Sequence, residues 1–321
     1  MPARLIHTAQ ALVDEVVEVP TLPRRGGNVM AGAHRMYAGG AVNILVAAAR
    51  SGATCVHAGA HGTGPNGDLI RSTLTREGIA WSSPPLPDLD TGVCFVMVEP
   101  TGERTFVTTQ GAERRITPES LDDARPVAGD LVCISGFSLV GRTRDPLLAW
   151  LATLDGAAVV VLDPGATFAD VEGPIAEQVL ARVDVWTSNA EEAEALVGPA
   201  SMGAAATAIA ARLRPGGVAI VRDGPAGCAV HEPDGENGVE GGPGRTVTVP
   251  GFPQRAVDTN GAGDTHTGVL LACRAAGAAW ADAARRANAA GAIKVTRRGP
   301  ATAPTAAEID AFLAAHDGPR G

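Results

Sequence analysis

Ala256-Val-Asp-Thr-Asn-Gly-Ala-Gly-Asp-Thr-His-Thr-Gly268 leads without a break into the apolar helical run Val269-Leu-Leu-Ala-Cys-Arg274. Gly261 and Gly263 let the backbone turn sharply where that helix begins, so successive amide N–H groups can face one anion at the positive end of the helix dipole. Asp264 places a carboxylate at the rim of this anion hole. A negative charge there opposes simple phosphate binding. It suits phosphoryl transfer, in which it accepts the proton of an attacking hydroxyl while the amides hold the migrating group. The same aspartate could be an ordinary cap following a glycine turn. Within this loop alone the two readings stand level.

From about residue 41 to this loop, short β-branched runs alternate with Ala-rich helical stretches, the pattern of parallel strands joined by crossover helices. Strands are expected at Thr54–Ala58, Leu131–Ile134, Ala158–Leu162, Val183–Trp186 and Val218–Val221. Helices are expected near Ala41–Arg50, Asp68–Glu77, Asp145–Leu154, Ala190–Val197 and Ala204–Leu213. A hairpin should form from Cys228–His231, a Gly/Pro/Glu-rich loop at Pro233–Gly244 and Thr246–Val249. Three helices follow near Asp264–Ala276, Ala279–Val295 and Thr305–Ala315.

Residues 12–38 and 91–112 break this rhythm with strand-like runs at Val16–Val19, Val93–Val98 and Arg104–Thr109 and a turn signal at Thr101-Gly102. Strands outside the βα alternation predict a small separate sheet across one edge of the main one. Open α/β sheets bind ligands at the carboxyl ends of their strands, where such a sheet can act as a lid. The expected division is an α/β core of residues 1–11, 39–90 and 113–321 and a β lid of 12–38 and 91–112.

Composition narrows the partners. Of the 321 residues 45% are hydrophobic but only 3% aromatic, so the core is built from Ala, Val, Leu and Ile, as in buried parallel sheets. An aromatic surface for single-stranded nucleic acid is not expected. With 26 basic against 35 acidic side chains the net charge is −9, which repels a phosphate backbone over any long contact. Cys55, Cys94, Cys133, Cys228 and Cys273 are far apart and form no CxxC pair, which indicates neither a disulfide framework nor a zinc site and suits a reducing compartment. No segment approaches the ~18 apolar residues of a membrane helix, and the chain reaches Asp14 before any signal-peptide core. A soluble cytoplasmic protein without nucleic-acid or membrane partners is expected.

The stretch Asp258-Thr-Asn-Gly-Ala-Gly-Asp264 resembles the C-terminal signature of the ribokinase-like (PfkB) carbohydrate kinases. Residues 38–67, from Ala-Gly-Gly-Ala-Val-Asn through Gly-Thr-Gly-Pro-Asn-Gly, are similar to that family's N-terminal signature. Ser188-Asn-Ala-Glu-Glu-Ala-Glu-Ala-Leu-Val-Gly198 resembles its Asn-x-x-Glu motif, and Asp14 with Pro23 its first substrate strand and turn. The similar elements occur in order along nearly the whole chain. The resemblance implies a three-layer ribokinase-like fold with a mostly parallel central sheet. It also implies ATP-dependent phosphorylation of a hydroxyl on a small sugar or sugar acid, of the ribokinase, fructokinase or ketodeoxygluconate kinase type.

Carried over position by position, the resemblance makes Asp264 the base and Gly261, Ala262 and Gly263 the hole for the γ-phosphate of ATP. Asn189 and Glu192 organise Mg²⁺ through water, in keeping with the preference of that ion for oxygen ligands and retained waters; a solvated helix face is the alternative for this Glu-rich run. Asp258 and Thr259 match positions that in many relatives hold a monovalent cation, possible K⁺, with Arg298 and Gly299 closing that site; a structural loop anchor is the alternative. Asp14, Gly39, Gly40 and Asn43 match sugar-binding positions, a carboxylate and an amide suiting vicinal hydroxyls. Gly224, Gly227 and Asn288 match the groove for the adenine base. A homodimer paired through exposed lid strands is also implied.

Some residues depart from the family pattern or suggest other functions. His266 and Thr267 stand where the family often has Phe and a small or polar residue. The glycine pair lies one position closer to Asn43, and the usual Thr- or Lys-Leu-Gly is altered at Arg222-Asp223-Gly224. Gly62-Thr-Gly-Pro-Asn-Gly67, with Asp88 and Asp90 further on, is a literal GxGxxG and raises a dinucleotide-binding dehydrogenase. Its position after an earlier strand region and helix, and Pro65 within the turn, count against that. His57 and His61 are better read as core or solvated histidines than as a metal pair. A nucleoside or other non-sugar acceptor in the same superfamily would call for lid aromatics, and only Tyr37, Phe95, Phe106 and Phe137 are available. A non-catalytic sensor would lack the base or the anion hole, and both are present.

Overall fold

The computed structural model describes residues 3–154, 156–233 and 244–317. Nine strands form the main sheet in the order β13 (Arg245–Pro250), β12 (Gly227–Glu232), β11 (Val218–Arg222), β10 (Val185–Asn189), β9 (Val159–Asp163), β8 (Leu131–Ser135), β1 (Arg4–His7), β4 (Thr54–His57) and β5 (Ala80–Trp81). All are parallel from β11 to β5, while β12 and β13 add an antiparallel hairpin at one edge. The greater part of the Pro233–Gly244 loop expected between those two strands lies outside the described residues.

Every inner strand is buried on both faces, which is why the strands read as continuous β-branched runs rather than alternating ones. Leu5, Cys133 and Val161 point into one core, with α1 (Ala41–Arg50), α8 (Ala262–Ala275) and α9 (Trp280–Lys294). Ile6, Val132 and Leu162 point into the other, with α4 (Arg144–Leu151), α5 (Gly173–Leu180) and α7 (Met202–Ala210). This is the three-layer arrangement expected. β1 carries no strand expectation, because it is only four residues long and begins and ends on Arg4 and His7; its interior place comes from pairing with β4 on one side and β8 on the other.

A separate four-stranded sheet has the order β3 (Ala33–Gly40), β2 (Ala11–Glu18), β6 (Val93–Val98) and β7 (Arg104–Thr108). Its strands start at Ala11 and, in β3, end at Gly40, so the lid strands overrun the expected 12–38 limits and run directly into α1. In-register pairing puts Asp14, Tyr37, Val16, Arg35, Val96 and Arg104 on the face toward the core. α2 (Pro65–Arg76), α3 (Pro118–Asp122), α6 (Ala190–Val197) and α10 (Ala306–Asp317) complete the helices used below. Among the described residues, no helix is long and apolar enough to cross a membrane.

Candidate active site

Helix α8 begins at a left-handed Gly261 with φ of 76°. A Cβ there would stand 2.5 Å from the carbonyl oxygen of Pro300, so both the backbone angle and the close approach require glycine. The Ala262 amide donates to the Thr259 carbonyl at 3.2 Å and is not free for an anion. Among the described residues the amides of Gly261, Gly263 and Asp264 have no such partner, so the free donors at the start of α8 are these three and not Ala262.

Asp264, in the first turn of α8, is reached from the other side by Asn43 of α1, whose Nδ2 donates to Asp264 Oδ2 at 2.9 Å. That approach depends on Gly268, where a Cβ would sit 2.3 Å from the Ile44 carbonyl oxygen, so α1 and α8 pack backbone to backbone. Burial pushes the Asp264 carboxyl up to about 6, with the nearby Asp163 charge adding to the rise; the Asn43 bond, Arg222 and Lys294 oppose it. Asn43 Oδ1 is buried and has no partner.

Asp163, at the carboxyl end of β9, and Arg222, at the end of β11, are joined through one hydroxyl. Arg222 Nη1 donates to Thr267 Oγ1 at 2.7 Å, and Thr267 Oγ1 donates to Asp163 Oδ2 at 3.2 Å. Arg222 also donates to Thr187 Oγ1 at 3.0 Å and to the Gly263 carbonyl at 3.4 Å, which anchors the first turn of α8. Burial raises the Asp163 carboxyl, with Arg222 opposing. Sequence reasoning singled out neither Asp163 nor this use of Arg222 and Thr267. The available signal was a polar residue closing each buried strand, Val-Val-Val-Leu-Asp163 and Val-Ala-Ile-Val-Arg222, at the end where such sheets bind ligands.

Asn189 and Glu192 form a reciprocal cap at the start of α6: Asn189 Oδ1 accepts from the Glu192 amide at 2.8 Å, and Glu192 Oε2 accepts from the Asn189 amide at 2.9 Å. One oxygen of each is committed to the backbone. Burial, then Asp163, raises the Glu192 carboxyl. Asp163, Glu192 and Asp264 are thus three carboxyls held above their ordinary range beside a single guanidinium, a charge balance that suits an added divalent cation. No group of three or more His, Cys, Asp or Glu among the described residues is arranged to bind a metal directly.

At the lid side, burial and then the Asp264 charge push the Asp14 carboxyl up to about 7. Gly39 makes room for it, since a Cβ there would lie 2.3 Å from Asp14 Oδ2. Gly40, at φ of 61°, turns the chain from β3 into α1 and brings its backbone against the Gln10 carbonyl. The structure therefore gathers Asp14, Gly39, Gly40, Asn43 and Asp264 at one place. A cleft between the lid face and the loop over 257–260 and 298–300 continues from it, lined by Glu18, Arg35, Tyr37, Arg104 and Arg298.

Other expected residues are placed differently. Asn288 is buried: its Nδ2 donates to the Val249 and Pro250 carbonyls, both at 3.1 Å, and its Oδ1 pairs with His266 Nε2 at 3.1 Å, so it holds β13 rather than facing an open groove. Gly227 is enclosed by Val249 and Gly251, whereas Gly224 is open. Asp258 Oδ1 accepts from the Asn260 amide at 2.9 Å and from Arg104 Nη2 at 3.0 Å, and Oδ2 accepts from the Gly299 amide at 2.8 Å. Thr259 Oγ1 accepts from Arg104 Nη2 at 2.9 Å. These oxygens are all engaged within the protein. In the GxGxxG turn, Asp90 accepts from the amides of Asn66 and Gly67 at 3.1 and 2.9 Å, so the start of α2 is filled by the chain's own carboxylate and is closed to a pyrophosphate.

Comparison with known proteins matches residues 11–307 to the pfkB family carbohydrate kinase model. The chain is 30% identical over 302 residues to an uncharacterized sugar kinase of Escherichia coli, YegV, covering 93% of this chain and 90% of that one. It is 28% identical over 313 residues to an ATP-dependent ribose-1-phosphate kinase of Halopiger xanaduensis, covering 97% and 98%. In fold it is similar to the Arabidopsis thaliana ribokinase complexed with ribose and ATP, with a TM-score of 0.77 at 21% identity, covering 98% of this chain and 99% of that one.

Proposed function

The chain belongs to the pfkB family of carbohydrate kinases, and from that premise we propose that it transfers a phosphoryl group from ATP to a sugar hydroxyl, with Asp264 as the base. ATP with Mg²⁺ supplies the transferable phosphoryl group and screens its charge. Asp264 Oδ2 is held by Asn43, which leaves Oδ1 to take the proton of the acceptor hydroxyl. The free amides of Gly261, Gly263 and Asp264 face the phosphoryl oxygens at the positive end of α8. Glu192 would hold Mg²⁺ through water with Oε1, which the cap leaves free, and Asn189 Nδ2 would donate to a phosphoryl oxygen. The unpartnered Asn43 Oδ1 accepts from one sugar hydroxyl, and Asp14 binds a neighbouring pair. The lid excludes water, which would otherwise compete as acceptor.

The observation that carries this reading is the half-buried Asp264 between an amide donor on one side and free helix N–H groups on the other. Coupled ADP release across pentoses, hexoses, keto-deoxy acids, sugar phosphates and nucleosides tests it. Release that depends on one sugar class is expected; none with any acceptor would overturn it.

The assembly and location are parts of the same proposal. Met36, Phe95 and Val107 lie exposed on the outer lid face, which supports a homodimer formed there; sedimentation would detect it. Five free cysteines and a need for ATP support a cytoplasmic protein.

A further inference from the structure

Lys294 is the only lysine in the sequence; every other basic residue is an arginine. It closes α9, has no exposed surface, and takes no part in the transfer described above. A buried ammonium is costly unless its donors are satisfied. Here Nζ donates to two backbone carbonyls, Asp258 at 2.9 Å and Arg297 at 3.3 Å. Convergent backbone carbonyls around a point charge are also how proteins replace the hydration shell of K⁺. The ammonium is moreover placed behind the loop that leads into the anion hole. The Val257 and Asp258 amides donate to the Val295 carbonyl at 2.7 and 3.0 Å, so the end of α9 grips that loop from both sides.

Asp258 Oδ1 and Thr259 Oγ1 already accept from Arg104, and the Asp258 carbonyl from Lys294, so the two side chains supply positive charge on either side of this segment. We propose that the Lys294 ammonium stands in the place of a monovalent cation, so that this kinase works without K⁺ and its anion-hole loop is set by a tethered charge. Lys294 is a positioning residue acting through the Asp258 carbonyl. Burial lowers its pKa to about 8, which leaves it mostly protonated at neutral pH, and the Asp258 carboxylate opposes that lowering. An arginine could not serve in the same way, because its planar fork is too large for a compact two-carbonyl cradle.

The inference rests on the phosphoryl-transfer reading, and two measurements separate them. ADP release and thermal melting of the wild-type protein are compared in potassium chloride and in tetramethylammonium chloride at equal ionic strength. Equal rates and equal melting are expected. A rate or a melting temperature that rises specifically with K⁺ overturns the inference. Absence of turnover in every salt instead overturns the transfer reading, while melting, which needs no substrate, still decides the cation question. In the second measurement Lys294→Ala opens the cradle, and about a 10- to 100-fold loss in kcat/KM is expected, as for other residues that orient a site from behind. Addition of K⁺ or ammonium should restore much of it, whereas Lys294→Met, which fills the space without charge, should stay unresponsive. A folded Lys294→Ala that gains nothing from either ion also overturns the inference.

Discussion

Asn43 donates a 2.9 Å hydrogen bond to Asp264 across 221 positions of sequence, joining the start of α1 to the start of α8. The bond does two things at once. It favours the charged form of a carboxyl that burial would otherwise neutralise, and it fixes one oxygen while leaving the other free of that bond.

Replacing Asp264 with Asn keeps the shape and removes the base. A loss of about 10²- to 10⁴-fold in kcat is expected. Affinity for ATP, measured by calorimetry, should be nearly unchanged. Near-normal turnover would remove Asp264 from the base role.

The acid limb of kcat/KM should fall near pH 6, where Asp264 takes up a proton. Asn43→Ala removes a donor to the charged form, so the limb should move to higher pH. Asp163→Asn removes the charge that raises Asp264, so the limb should move lower. Profiles that coincide for all three proteins would show that another group controls the limb.

The contribution of Asp14 and Asp264 to the stability of the unliganded protein should fall as pH rises from about 4 to about 7. The folded pKa values of Asp14 (about 7) and Asp264 (about 6) both lie above the ordinary 3.8. Between those limits these two carboxyls bind more protons in the folded state than in the unfolded one, and their contribution declines with pH, whereas the buried His7 and His57, both lowered to about 3, bind fewer when folded and oppose it. Melting temperatures of the wild type and Asp14→Asn across this range check the sign: the variant should gain on the wild type as pH rises.

Gly268→Ala drives a Cβ to 2.3 Å from the Ile44 carbonyl oxygen and must push α1 off α8. A cost of about 1–3 kcal/mol is expected from overpacking. Because Asn43 moves with α1, the acid limb should also shift upward, as in Asn43→Ala. A stability loss without that shift would mean that the two helices separate elsewhere.

Glu192→Gln retains a capping partner for Asn189 but removes the charge, so the apparent Mg²⁺ requirement should rise with little change in melting. Asn189→Ala loses the cap and should cost about 1 kcal/mol. Equal effects of both on melting alone would confine the pair to a helix cap.

The sequence by itself determined what depends on neighbouring residues. The turn into α8 was legible because Gly261, Gly263 and Asp264 are contiguous and a helix start is a local event. The parallel sheet was legible because strands buried on both faces must be apolar throughout. Tertiary structure alone decided which distant groups meet. It placed the Arg4–His7 strand inside the sheet between β4 and β8 and linked Asp163, Thr267 and Arg222, which lie on β9, α8 and β11. It turned Asn288 inward and gave Lys294 two carbonyls in place of solvent. Periodicity records which side of an element is buried, whereas a hydrogen bond across two helices depends on how closely their backbones approach, and at α1 and α8 that distance is set by the bare Cα of Gly268.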